Sequence, residues 1–387
     1  MEPSSHENPL RRGLVPEPVA GSPLSLHRRL PGYEPTPLRA APALAEQLGV
    51  AHVLVKDEAS RLGLPAFKML GASWACYRSL AARLGRDPDE PEPWQHVDEL
   101  AVRLAVLRPL RLATATDGNH GRAVARFAKL VGFPADIWVP AGTVPARIEA
   151  IEGEGATVTV VEGGYDAAVR AAAEAADERT LVVSDTSWPG YEVVPQWVVD
   201  GYATIFDEIG IQLEEQGATE PDVVLVPIGV GAFAAAVVTA FRRSRPDREA
   251  PLLIGVEPVD AACVLASALA GELVTLPGEQ RSIMAGLNCG TPSPVAWPLV
   301  SAGIDWFVAV DDEQSRQAMR DLAASGIVSG ESGAASLAGA TQLRRDTGDR
   351  VLRPGATVLL LSTEGATDPA AYESIVGSLP AEPSRGA

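Results

Sequence analysis

The sequence predicts an α/β protein whose largely parallel sheets are flanked by helices, and three observations lead there. Short apolar runs of strand length alternate with longer segments of helical periodicity along most of the chain, the mark of strand–helix–strand units. A glycine-bounded turn, Ile228-Gly229-Val230-Gly231-Ala232-Phe233-Ala234, stands between one such run and one such helix. The composition, 46% hydrophobic and 21% charged over 387 residues, is globular and long enough for two or three domains.

The elements follow in order. Near the start, Arg11-Arg12 is followed by Gly13-Leu14-Val15-Pro16-Glu17-Pro18. No apolar core follows the arginine pair, so a proline-rich, loosely held arm is expected rather than an export signal. Val53-Leu54-Val55 reads as a strand ahead of Lys56-Asp57-Glu58. Met69, Leu70, Trp74, Tyr77 and Leu80 recur at helical spacing, which predicts a helix beginning near Lys68 and running to about 83. Prolines interleaved with acids over 86–93 cannot continue it and predict a solvent loop. Leu110 to Thr116 is strand-like and enters Asp117-Gly118-Asn119-His120-Gly121. A helix with Ala123, Val124, Phe127, Ala128 and Val131 inward then stops near Gly132-Phe133-Pro134. Strands at 135–139 and 157–161 enclose a helix at 145–152, and an Ala-rich helix spans 165–178. The strand at 181–183 opens onto Ser184-Asp185-Thr186-Ser187-Trp188. Strands at 223–227, 252–256 and 358–361 and a helix at 232–243 complete the alternation. Boundaries near 70 and 190 predict a large domain of residues 1–70 with 190–387 and a smaller one of 71–189.

Charge and cysteines exclude several classes. Fifty acids against 32 bases leave a net charge of −18 and a pI near 4.7. Such a surface repels phosphate backbones, so no nucleic-acid partner is expected. Cys76, Cys263 and Cys289 make no C-x-x-C spacing, which rules out a disulfide framework and a cysteine-rich zinc module; no metal site is expected. No apolar run approaches the roughly 18 residues of a membrane helix. A soluble cytoplasmic protein is the default expectation.

Three segments carry chemistry. The glycine turn at 229–233 lets backbone N–H groups approach a phosphate at a helix N-terminus. Glu257, at the end of the next strand, stands about where a dinucleotide fold places its ribose-binding acid, so a nicotinamide-dependent oxidoreductase is a rival reading. The alternative to both is a turn that merely packs a helix on a sheet. The chain has only three lysines, and they divide by context. Lys129 falls near a helix end, where a cation is favoured, and Lys56 stands beside Asp57 and Glu58 as a paired charge. Lys68 opens a helix beside Phe67, where the dipole disfavours the ammonium form, and a neutral amine is what a Schiff base requires. A solvated surface lysine is the plain alternative. Asp117-Gly118-Asn119-His120-Gly121 puts polar side chains at a strand's carboxyl end, where α/β sheets bind ligands, unless Asp117 and Asn119 only cap the helix.

Taken in order, Phe67-Lys68 with Gly71-Ala72, Gly118-Asn119-His120-Gly121 and Gly229-Val230-Gly231 resemble the fold-type II pyridoxal-phosphate enzymes, the tryptophan synthase β class. Within that class the chain is similar to the diaminopropionate ammonia-lyase family. The similarity runs through Leu64-Pro65-Ala66-Phe67-Lys68-Met69-Leu70-Gly71, Thr114 to Gly121, Asp185 to Tyr191, Ile283 to Gly290, Glu331-Ser332-Gly333-Ala334 and Ser362-Thr363-Glu364-Gly365. It covers about residues 30 to 375; Pro65, Pro189 and Ala366 depart from it.

The resemblance implies two domains, each with a largely parallel sheet, and pyridoxal 5'-phosphate as cofactor. It implies that Lys68 carries the cofactor, that Asn119 meets the ring hydroxyl and that Gly229, Val230, Gly231, Ala232 and Phe233 hold the phosphate. Ser362 or Thr363, by register Thr363, would contact the pyridine nitrogen; Phe67 packs on the ring or is simply a core aromatic. It implies β-elimination of 2,3-diaminopropionate to pyruvate and ammonia, with a serine/threonine dehydratase or another β-eliminating amino-acid lyase as the alternative. Diaminopropionate bears a β-ammonium, which a carboxylate pair, Asp117 and Asp185, would complement while sharing acid and base work. Asp185 as a loop brace is the competing role, and His120 is expected to support neighbours by hydrogen bonding. Cys263 and Cys289 match cysteines of the lyase family, with buried free thiols the alternative.

Overall fold

Runs such as Val223–Pro227 and Thr357–Ser362 lack polar alternation, so they suit parallel strands covered on both faces. The computed structural model of the chain describes residues 2–87, 93–116, 118–218, 220–243 and 249–379. Its strands are β1 (Ser4–Glu7), β2 (Leu38–Ala40), β3 (His52–Asp57), β4 (Arg111–Ala115), β5 (Ala135–Pro140), β6 (Thr157–Val161), β7 (Thr180–Val182), β8 (Val223–Pro227), β9 (Leu252–Pro258), β10 (Trp306–Val310) and β11 (Thr357–Ser362). Among the described residues they form a seven-stranded sheet in the order β1-β10-β9-β8-β11-β3-β2 and a four-stranded sheet in the order β6-β5-β4-β7. The four-stranded sheet is parallel throughout. In the larger one the five inner strands are parallel, and β1 and β2 close the edges antiparallel.

Strand order decides where a ligand can sit. From β8 the chain moves outward through β9 to β10, whereas the other neighbour of β8 is β11, which pairs in turn with β3. Loops leaving β8 and β11 therefore diverge to opposite sides and leave a crevice at the carboxyl ends.

Helices lie on both sheets. Lys68–Arg83 crosses Val193–Gly201 at very short range: a Cβ on Gly71 would stand 2.6 Å from a Tyr202 ring carbon, and one on Gly201 2.6 Å from the Leu70 carbonyl. The Ala-rich helix is shorter than its pattern suggests, Tyr165–Glu174. The acid–proline stretch expected as a loop falls largely in 88–92, outside the described residues. Among the described residues no helix is long and apolar enough to cross a membrane, and no cluster of side chains is suited to a metal ion.

One expectation is corrected and one is bounded. The proline-rich stretch at 13–18 has no helix or strand and is mostly exposed, but the residues on either side of it are pinned. β1 pairs with β10, and buried Asn8 donates from Nδ2 to the carbonyls of Ser301 (2.8 Å) and Ile304 (2.7 Å). His27, fully buried, donates from Nε2 to the Leu70 carbonyl (3.0 Å), which leaves Nδ1 to accept from Thr204 Oγ1 (2.7 Å). Burial first, and Arg61 second, push that imidazole down to about 3, so it is neutral.

Lys56 is paired, but not with its sequence neighbours. It is fully buried and donates to Glu208 (2.8 Å) and to the Thr36 carbonyl (2.7 Å). Asp57 takes Arg39 and Glu58 takes Arg61, which also reaches Glu208. Alternation in the strand sends Lys56 and Asp57 to opposite faces, so adjacency in sequence could not pair them.

Candidate active site

β11 holds the centre of the crevice. Its last residue, Ser362, is in register with Asp57 of β3, and Leu360 with Leu225 of β8. Thr363 and Glu364 therefore emerge beside the loop after β8 and the segment leading to Lys68. The Phe67 N–H donates to the Thr363 carbonyl (3.2 Å), which fixes Lys68 at the first turn of its helix over this edge. One cavity is lined by Phe67, Lys68, Asn119, Asp185, Gly229 to Ala234 and Thr363, so it gathers most of the residues singled out by sequence.

Lys68 and Asp185 meet across the two sheets. Lys68 Nζ donates to Asp185 Oδ2 at 2.7 Å, and the Tyr165 hydroxyl donates to Oδ1 at 2.9 Å. Burial alone would raise the Asp185 carboxyl. The Lys68 ammonium and the hydrogen bonds from Lys68 and Tyr165 outweigh it and hold the group well below the usual carboxylate range. His120 donates from Nε2 to the Val183 carbonyl at 2.8 Å, fixing the strand end that carries Asp185. Burial lowers its pKa, so the ring is a neutral support rather than an acid. Phe67 packs at a tilt against Phe233 (4.4 Å between centroids) and Tyr202 (4.7 Å), joining the core and the lining at once.

Asn119 begins the Asn119–Val131 helix and donates from Nδ2 to Glu364 Oε2 at 2.6 Å. Opposite, Gly231 precedes the Ala232–Phe241 helix with φ 98°, a conformation that a side chain would strain. A Cβ on Gly229 would come within 3.0 Å of the Gly286 carbonyl. The first N–H groups of such a helix have no intrahelical partner. Thr363 lines the cavity; Ser362 does not, its hydroxyl donating instead to Ser329 Oγ at 2.8 Å in the core.

Asp117 lies outside the described residues. Glu257 does not serve a ribose: its two oxygens accept the N–H groups of Val264 and Leu265, both at 2.8 Å, capping the Cys263–Ala270 helix. Burial pushes its carboxyl up to about 8. This removes the acid on which the nicotinamide reading stood. Cys263 and Cys289 are buried and not joined in a disulfide, and both sulfurs lie near Gly229. Tyr165, Glu364, Ser332 and the Gly286–Cys289 stretch also line the cavity, without having been singled out as site residues. All but Tyr165 fall within the family motifs at 283–290, 331–334 and 362–365, which was the available signal.

The donor set fits pyridoxal phosphate. An amine stands at one end of the cavity, an amide at its side, a hydroxyl at the end of β11 and, opposite, a helix N-terminus whose glycines leave the space that a Cβ would fill. Comparison with known proteins agrees. Residues 29–364 match the family described as pyridoxal-phosphate dependent enzyme. The diaminopropionate ammonia-lyase of Escherichia coli (strain K12) is 37% identical over 362 residues, 90% of this chain and 89% of that protein. The Salmonella typhimurium enzyme of that name is 36% identical over 91% of this chain and 90% of its own. A crystal structure of the Escherichia coli enzyme in complex with D-serine superposes with a TM-score of 0.86, at 34% identity over 97% of each chain.

Proposed function

The chain belongs to the pyridoxal-phosphate dependent enzymes, and from that premise we propose that it converts 2,3-diaminopropionate to pyruvate and ammonia by β-elimination. The observation that carries the reading is the Lys68–Asp185 pair, braced by Tyr165, facing the glycine loop across one cavity. The ammonia-lyases similar over nine-tenths of the chain support the substrate. Cytoplasmic action as a homodimer belongs to the same reading, as does a division into residues 71–189 and the remainder.

Bound pyridoxal phosphate supplies an electron sink that acidifies the substrate's α-proton. Lys68 would hold the cofactor through its amine, and residues 229–233 would hold its phosphate with backbone N–H groups. Asn119 would serve the ring hydroxyl, Thr363 the pyridine nitrogen and Phe67 the side of the ring. Lys68 Nζ, when not engaged in holding the cofactor, would be the group placed to take a proton. Asp185, kept ionised by its surroundings, attracts the β-ammonium, and Asp117 is assigned the other half of the acid–base work. One ammonia leaves from the β-carbon; hydrolysis of the unsaturated amino acid releases the second with pyruvate.

The test compares kcat/KM for 2,3-diaminopropionate and serine, in wild type and Asp185→Asn, with pyruvate as readout. A carboxylate favours a β-ammonium over a neutral hydroxyl by Coulomb attraction. Wild type should prefer the diamino acid, and the substitution should cost roughly a hundredfold or more on it and less on serine. A wild type preferring serine or threonine sinks the substrate assignment; equal losses sink the role of Asp185.

A further inference from the structure

We infer that Glu364 is a positioning residue for Asn119, a carboxylate anchored on the seven-stranded sheet that sets which end of an amide on the other sheet faces the cofactor. This rests on the reading above, in which Asn119 meets the ring hydroxyl.

Glu364 is two residues beyond β11 and is 2% exposed. Its oxygens take different donors. Oε1 accepts the backbone N–H of Ser332 at 3.1 Å, and Oε2 accepts Asn119 Nδ2 at 2.6 Å. Ser332 lies in the first turn of the Glu331–Thr347 helix, where N–H groups lack intrahelical partners and the dipole favours an anion. Glu364 therefore caps that helix from outside and keeps one oxygen for the cleft. Its backbone is held as well, pairing in an antiparallel bridge with Ala66 and accepting the Gly330 N–H at 3.0 Å. The space around the carboxylate is closed: a Cβ on Gly330 would stand 3.2 Å from Oε1 and 2.4 Å from the Gly365 carbonyl.

The two ends of a carboxamide have nearly the same shape and opposite polarity. A carboxylate whose oxygens both accept offers no donor, so the amide beside it must present NH2. The Glu364 contact uses one N–H of Asn119 Nδ2 and leaves the second on the same nitrogen for a ring oxygen. Reversed, the amide would turn a carbonyl dipole on the same oxygen and repel it. Glu331 registers the neighbouring charge: burial first and Glu364 second push its carboxyl up to about 7.

Glu364→Gln keeps the volume and one acceptor for Ser332, but puts an NH2 where Asn119 needs an oxygen. The experiment measures pyridoxal-phosphate affinity of the apoenzyme and the pH dependence of the cofactor's visible band, in wild type, Glu364→Gln, Asn119→Ala and the double variant. Expected are a roughly tenfold loss of affinity in Glu364→Gln, a shifted titration of the band, and no further loss when it is added to Asn119→Ala. Should Glu364→Gln prove unstable, Glu364→Asp retains the charge but falls a methylene short of Asn119 and should give the same non-additive result. Additive losses, or a Glu364→Gln enzyme with wild-type affinity and band, overturn the inference while leaving the site reading intact. A wild type that takes up no pyridoxal phosphate overturns both.

Discussion

A carboxyl driven toward neutrality occupies the first position of the Glu331–Thr347 helix. Glu331 is 7% exposed; burial and then Glu364 raise its pKa from an ordinary 4.5 to about 7. A carboxyl raised in the folded state binds its proton more tightly there than in the unfolded chain. Its cost is therefore absent below the unfolded value, grows as pH rises toward the folded value and is constant beyond. Two and a half pKa units correspond to a cost on the order of 3 kcal/mol above pH 7. Asp185 works in the opposite sense: its depressed pKa contributes stability that is present above its ordinary 3.8 and lost as pH falls further. Glu331→Gln should accordingly gain stability over wild type as pH rises from about 5 to 8, measured by urea unfolding of the two apoproteins. A gain that is the same at both pH values would mean that Glu331 carries no such charge penalty.

At the scale of elements, the helix that presents Lys68 owes its place to a glycine contact. A Cβ on Gly71 would lie 2.6 Å from Tyr202 Cε1 and 2.7 Å from the Val198 carbonyl, and the backbone atom cannot step aside as a side chain can. Gly71→Ala gains up to about 1 kcal/mol in helix propensity but overpacks at a typical cost of 1–3 kcal/mol. A net loss of stability in denaturant unfolding, with weaker cofactor retention because Lys68 sits one turn away, is expected. A variant at least as stable as wild type would show that the two helices can separate freely. Little of this was legible. Gly71-Ala72 is visible as a motif, but its partner Gly201 is far off in sequence and only the crossing explains either. β8, β9 and β11 were legible because buried parallel strands are continuous apolar runs. β1 was not: Ser-Ser-His-Glu has no strand pattern and becomes a strand only because β10 offers it an open edge. Lys68, Asn119 and the 229–233 loop could be picked out because each joins a special residue to a strand–helix junction. Glu364 and Tyr165 gain meaning only from the partners that the fold brings to them.

The two sheets share one apolar core, which includes Leu112 and Ile137 of one and Val226 and Leu359 of the other, and they also meet across the cleft in polar contacts. Lys68 reaches Asp185, Asn119 reaches Glu364, and Ser187 Oγ meets Ser293 Oγ at 2.9 Å while accepting the Val295 N–H at 3.0 Å. In each pair one member lies within 71–189 and the other outside it. These polar contacts add little by themselves, since each hydrogen bond nets only about 1 kcal/mol against water. A ligand that contacts both walls adds its binding free energy to the joined state, about 2.7 kcal/mol at a hundredfold excess over Kd. Removing pyridoxal phosphate should therefore lower the melting temperature. It should also speed amide hydrogen exchange on both walls together, in residues 118–122 beside Asn119 and in 229–234 at the phosphate loop. Exchange that quickens in 229–234 alone would mean that the phosphate anchors the cofactor to one sheet and the polar contacts form without it. Coupled exchange would instead make the cofactor a link between the two walls in addition to their shared core, and the contacts of Lys68 and Asn119 the means by which each wall senses it.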